Sequence, residues 1–101
     1  MKERTKEDIE IDFSRAISQA QELEEIAREL SIIANAHIEG AMTMLENSWK
    51  GDNAVLMTKN GRILTEDMYD TADDLIKVAR NIRNTADIVY RAEKAATQIV
   101  Y

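Results

Sequence analysis

Small and aliphatic residues step by four and three through the first half of the chain with no proline to interrupt them: Ile9, Phe13, Ala16, Ala20, Leu23, Ala27, Leu30, Ala34, His37, Ala41, Met44 and Ser48. A repeat sustained this long, in which only the ends and His37 depart from small or aliphatic side chains, is the seam of helices packed side by side. Ile17, Ile26, Ile33, Ile38 and Leu45 widen the stripe on its flanks. A stripe that wide faces more than one neighbour.

The repeat stops at Asn47-Ser48-Trp49-Lys50-Gly51-Asp52-Asn53, near the midpoint of the chain, which holds the sole tryptophan and one of three glycines. Glycine is the residue expected where a helix ends in a left-handed conformation. Asp52 and Asn53 are expected to cap a second helix through their side-chain oxygens. The second arm then repeats the pattern with Ala54, Met57, Gly61, Met68, Ala72, Leu75, Ala79, Ile82, Ala86, Val89 and Ala96, flanked by Ile76, Ile88, Ala92 and Ile99. Asn60-Gly61 is a turn signal, yet Gly61 falls in step with the seam, where a missing side chain lets a facing helix come close. A continuous second helix is expected, at a cost of about 1 kcal/mol relative to alanine at that position.

Thr5 with Asp8 three residues later has the form of a capping box and marks the start of the first arm. The expected organisation is one all-α domain over residues 1–101: arm one at 6–48, a turn at 49–52, arm two at 53–100. The two arms form a long antiparallel helical hairpin. Two helices cannot enclose wide apolar stripes on both members, so a second hairpin is expected to complete a four-helix bundle as a dimer. Phe13, Leu23, Leu30, Met44, Leu75, Ile82 and Val89 are the larger seam residues expected to fill it.

Charge excludes several classes of partner. Nineteen acids against thirteen bases leave a net charge of −6, the wrong sign for nucleic acid or an anionic membrane surface. The uncharged run Ser31 to Ile38, even with Leu30 before it, is too short to span a bilayer. The first eight residues are charged at all but Met1 and Thr5 and lack the apolar core of a secretory signal peptide. There is no cysteine, hence no disulfide or thiolate metal site.

A proline-free, cysteine-free helical chain of this length with Trp49-Lys50-Gly51 at its midpoint resembles the WXG family of small helical-hairpin proteins, the early-secreted-antigen type substrates of type VII secretion in Gram-positive bacteria and mycobacteria. The resemblance implies a four-helix-bundle dimer, formed with itself, with a related hairpin or with the helical N-terminal domain of an LXG-type toxin. It also implies export without a cleaved signal, by recognition at the membrane ATPase of the secretion machine. The family's export signal pairs the Trp-x-Gly turn, here Trp49 and Gly51, with a Tyr-x-x-x-Asp/Glu motif near a C-terminus. This chain departs from that motif: in Tyr90-Arg91-Ala92-Glu93-Lys94 the acid comes at three residues rather than four. Positions three and four apart share a helix face, so Tyr90 and Glu93 are the candidates, and the literal match Tyr69 to Asp73 lies in mid-arm. The bland reading has Tyr90 flanking the seam and Glu93 solvated or paired, with the export signal supplied by the partner. A chain of this kind also suits a targeting chaperone for an LXG toxin.

The remaining features point away from chemistry. His37 is the only histidine, with no second histidine or Glu-x-x-His pair to build a bundle metal site. Glu66, Asp67, Asp70, Asp73 and Asp74 read as a solvated acidic face or a docking patch for a basic partner, and Lys77, Arg80 and Arg83 as an exposed basic one. Met42, Met44, Met57 and Met68 read as core or as an adaptable interface near the tip. No catalytic residue, metal or cofactor is expected. The alternative to secretion is a cytoplasmic coiled-coil adaptor or regulator in which Trp-x-Gly is merely a turn.

Overall fold

Thr5 opens the first helix as expected: its hydroxyl oxygen accepts from the Asp8 N–H at 3.1 Å, and the Asp8 carboxylate accepts from the Thr5 N–H at 3.1 Å. Two end donors of the helix are thereby satisfied reciprocally. The structure is a computed structural model that describes residues 4–49 and 51–97; Lys50, Ile99 and the far end of arm two lie outside the described residues. In chain order it has α1 (Lys6–Ile32), a π-helical segment (Ile33–Ile38), α2 (Glu39–Ser48) and α3 (Asp52–Thr97). Among the described residues there is no strand, and the chain is an all-α helical hairpin.

The chain divides into two units: a terminal unit, Met1–Glu24 with Ile76–Tyr101, and a turn unit, Glu25–Leu75. In the terminal unit antiparallel segments of α1 and α3 bury Ile9, Ala20 and Ala79, with Phe13, Ala16, Leu23, Ile82, Ala86 and Tyr90 half-buried around them. Alanines at the closest approach bring the backbones together, and the larger residues fill the spaces between. In the turn unit Ala27, Ala34, Ala54, Thr65 and Ala72 are buried. Thr65 is polar, and its hydroxyl donates to the Gly61 carbonyl at 2.9 Å, so nothing is left unpaired.

The first arm departs from the expected seam after Ala34. Within the π segment the Glu39 N–H reaches back five residues to the Ala34 carbonyl. One extra residue is thereby taken up, which turns the following helix by about 100°. Ile38, Met42 and Leu45 therefore face inward and are half-buried, while His37, Ala41, Met44 and Ser48, one residue earlier, are exposed. The driving force is visible in the residues themselves, because an unbroken α-helix would bury His37 and leave Ile38 and Leu45 in water.

α3 runs through Gly61 without a break. A Cβ added there would meet the Met42 side chain, 2.8 Å from Cγ. The methionine turned inward by the π segment thus occupies the notch that the glycine leaves.

Candidate functional site

The turn is built from three backbone facts. α2 ends at Ser48; Trp49 is extended, at φ −114° and ψ 141°, with its N–H donating to the Leu45 carbonyl. Gly51 has φ +106°, which side-chain-bearing residues rarely adopt, and open space where its Cβ would be. Its carbonyl accepts from the Val55 N–H at 3.2 Å, so Gly51 heads α3. Asp52 is the first helical residue rather than a capping side chain, and its charge complements the helix N-terminus.

Trp49 is 51% exposed. Its ring borders a groove of about 660 Å³ whose apolar wall is Ala54, Val55 and Ile63 and whose rim is Glu46, Lys59, Arg62 and Glu66. Across that rim Arg62 and Glu46 form an ion pair at 3.5 Å.

The candidate motif near the C-terminus is engaged within the terminal unit. The Tyr90 hydroxyl donates to Glu10 at 2.7 Å, and its ring stacks on Phe13 with centroids 4.4 Å apart. Lys94 lies 3.0 Å from the same Glu10 carboxylate and over the Tyr90 ring. The Tyr90 hydroxyl, then Lys94, hold the Glu10 carboxyl below the usual glutamate range, and Tyr90 with Glu10 holds the Lys94 ammonium above the usual lysine value. Glu93 accepts from Arg4 at 3.0 Å, and the same guanidinium binds Asp12. Tyr90 thus meets the first arm at Glu10 and Phe13, and Glu93 meets Arg4 just ahead of it. Tyr69 is half-buried and Asp73 exposed in the turn unit.

Of the larger seam residues, Phe13, Leu23, Leu30, Leu75 and Ile82 are half-buried. Met44 is 70% exposed, displaced from the hairpin seam by the π segment, and Val89 is 47% exposed because Tyr90 turns in toward Phe13 instead. Met57 is likewise outside, and half-buried Thr58 takes its place in a ladder with Thr65 that sequence reasoning missed because threonine is polar. Arg83 does not line an exposed face as expected: it is half-buried and holds Glu24 with two nitrogens, at 2.7 and 3.2 Å, which raises its pKa. Lys77 and Arg80 are exposed.

A second groove, of about 440 Å³, opens in the terminal unit over Ile9, Phe13, Ala16, Ile82, Ala86 and Val89. Among the described residues no group of three His, Cys, Asp or Glu side chains is placed to hold a metal ion, and no helix is long and apolar enough to cross a membrane. No protein-family model, curated protein or solved structure matches this chain.

Proposed function

We propose that this chain is a non-enzymatic interaction protein of type VII secretion, a WXG-like secreted substrate or targeting chaperone that pairs through its helices and presents its turn to the secretion machine or to a partner toxin. The observation that carries the reading is the turn itself. A half-exposed Trp49 stands beside a glycine held at positive φ, at the junction of two long helices in a chain without proline. The apolar groove in the terminal unit supports the pairing, since two helices leave Ile82, Ala86 and Val89 open to a further helix. The paired state is a four-helix bundle, with an identical chain, a related hairpin or an LXG-type toxin's N-terminal domain. Because Tyr90 and Glu93 are held by Glu10 and Arg4, the partner supplies the C-terminal half of the export signal.

The test is secretion of the chain, or of the toxin it accompanies, with Trp49→Ala. Helix content and pairing are expected to stay unchanged, because Trp49 lies outside the helices, while export falls at least about tenfold, a recognition loss of about 1.4 kcal/mol. Unchanged export with the variant would reduce the chain to a helical adaptor with an incidental turn.

A further inference from the structure

The turn unit offers a docking face whose charge names its occupant. Ile26 and Ile33 each stand one residue before a buried alanine, Ala27 and Ala34; Met57 and Leu64 stand one residue before Thr58 and Thr65. In antiparallel helices that face one another, positions one residue ahead of the inward ladder fall on the same side of the pair. These four apolar side chains are 41–50% exposed.

The charges beside them have one sign. Glu29 lies four residues before Ile33, Asp67 three after Leu64, and Asp74 seven further on, all exposed. Arg28, Lys59 and Arg62 each follow an inward residue, Ala27, Thr58 and Gly61, which turns them to the opposite flank. Glu25–Leu75 as a whole holds ten acids against four bases, a net −6 that equals the charge of the entire chain. A second copy would bring either the same acids or its charge-balanced terminal unit, and neither complements this face.

We infer that this flank of the turn unit docks an amphipathic helix of a different protein, one whose apolar stripe is bordered by lysine or arginine that meets Glu29, Asp67 and Asp74. The inference rests on the reading of the chain as a bundle partner and specifies that partner's chemistry. The apolar stripe supplies the affinity and the acidic border selects among helices.

The test uses the full chain and two labelled synthetic helices with the same leucine stripe, one bordered by lysine and its twin by glutamate, read by fluorescence anisotropy. The lysine-bordered helix is expected to bind at least about tenfold more tightly, with the gap narrowing as salt rises. Asp67→Lys with Asp74→Lys is expected to reverse the preference, and Asp70→Lys, which points outward on α3, to leave it. Equal binding of both helices, binding of neither, or a homodimer by light scattering that excludes both would overturn the inference. Lysine-selective binding with Trp49-independent export would uphold this inference and sink the secretion reading. Loss of selectivity with Trp49-dependent export intact would do the reverse.

Discussion

The terminal unit and the turn unit use the same two helices to opposite ends. The terminal unit is stitched across its helices by Arg4 to Asp12 and Glu93, Glu10 to Tyr90 and Lys94, and Glu24 to Arg83, with Phe13 stacked on Tyr90. The turn unit has the single cross-helix pair Arg62 to Glu46 among its described residues, a π segment, the whole net charge, and exposed Ile26, Ile33, Met44, Trp49, Met57 and Leu64. Exposed ion pairs contribute little each, so the stitching fixes the register of the helices more than it stabilises them. The difference lies in how each unit ties its helices: the terminal unit joins them with side-chain pairs and keeps an apolar groove beside them, and the turn unit, with one such pair, carries its apolar side chains among unbalanced acids.

The largest effect that would break this comparison comes from removing one residue. Deletion of Gln21, exposed on α1 in the terminal unit, rotates everything after it by about 100° relative to the preceding turns and is expected to cost more than about 4 kcal/mol. Deletion of His37 does the opposite. It closes the π turn into a regular helix while Ile38, Met42 and Leu45 keep their inward places at three- and four-residue steps, so stability is expected to change by less than about 1 kcal/mol. Denaturant midpoints of the two deletions settle it; equal losses would mean that the π segment does not absorb a residue.

That contrast also marks what could be read in advance. The capping box at Thr5 and Asp8 and the continuity of α3 through Gly61 were legible, because each depends on residues within one or two turns. The π turn was not, because counting fours and threes assumes that every residue advances the helix equally. Its signal is present all the same: Ile38 and Leu45, on the flank of the stripe, each follow by one residue a seam position that His37 and Met44 fill less well. The ties of Glu10, Glu24 and Arg4 across the hairpin could not be read at all. Pairing residues 59 to 89 apart requires the register of the two arms, which no local pattern specifies.

Burial gives the next largest effect. Ile9→Ala in the terminal unit, at 2% exposure, is expected to lower stability by about 2–4 kcal/mol. Leu64→Ala in the turn unit, half-exposed, is expected to change the free chain by less than about 0.5 kcal/mol. Chemical denaturation of the free protein reads both. A large loss at Leu64 would show that the turn unit already buries this face.

The Gly61 notch gives a smaller effect. Gly61→Ala removes about 1 kcal/mol of helix penalty but drives a methyl group into Met42, so in the native background it is expected to be neutral or destabilising. With Met42→Ala the same change is expected to stabilise, giving a coupling of about 1 kcal/mol in a double-mutant cycle. Additive effects would mean that Met42 simply moves aside.

The finest test of the contrast is pH, applied to the terminal unit's Glu10, Tyr90 and Lys94. Glu10 has a folded pKa below its unfolded value, so its contribution is present above the unfolded value, near ~4.3, and fades as pH falls through the folded one. Lys94 has a folded pKa above its unfolded value, so its contribution is complete below about 10.4 and fades as pH rises through the folded one. The carboxylate and ammonium therefore hold each other across the whole range between those limits, and neither switches near neutrality. Amide protection factors of α3 around Tyr90, taken relative to the pH-dependent intrinsic exchange rate, are expected to fall below pH ~4, and Glu10→Gln to flatten that response while leaving protection around Met68 in the turn unit unchanged. If both units loosened together on acidification, the clasp would not be local to the termini, and the two units would open as one.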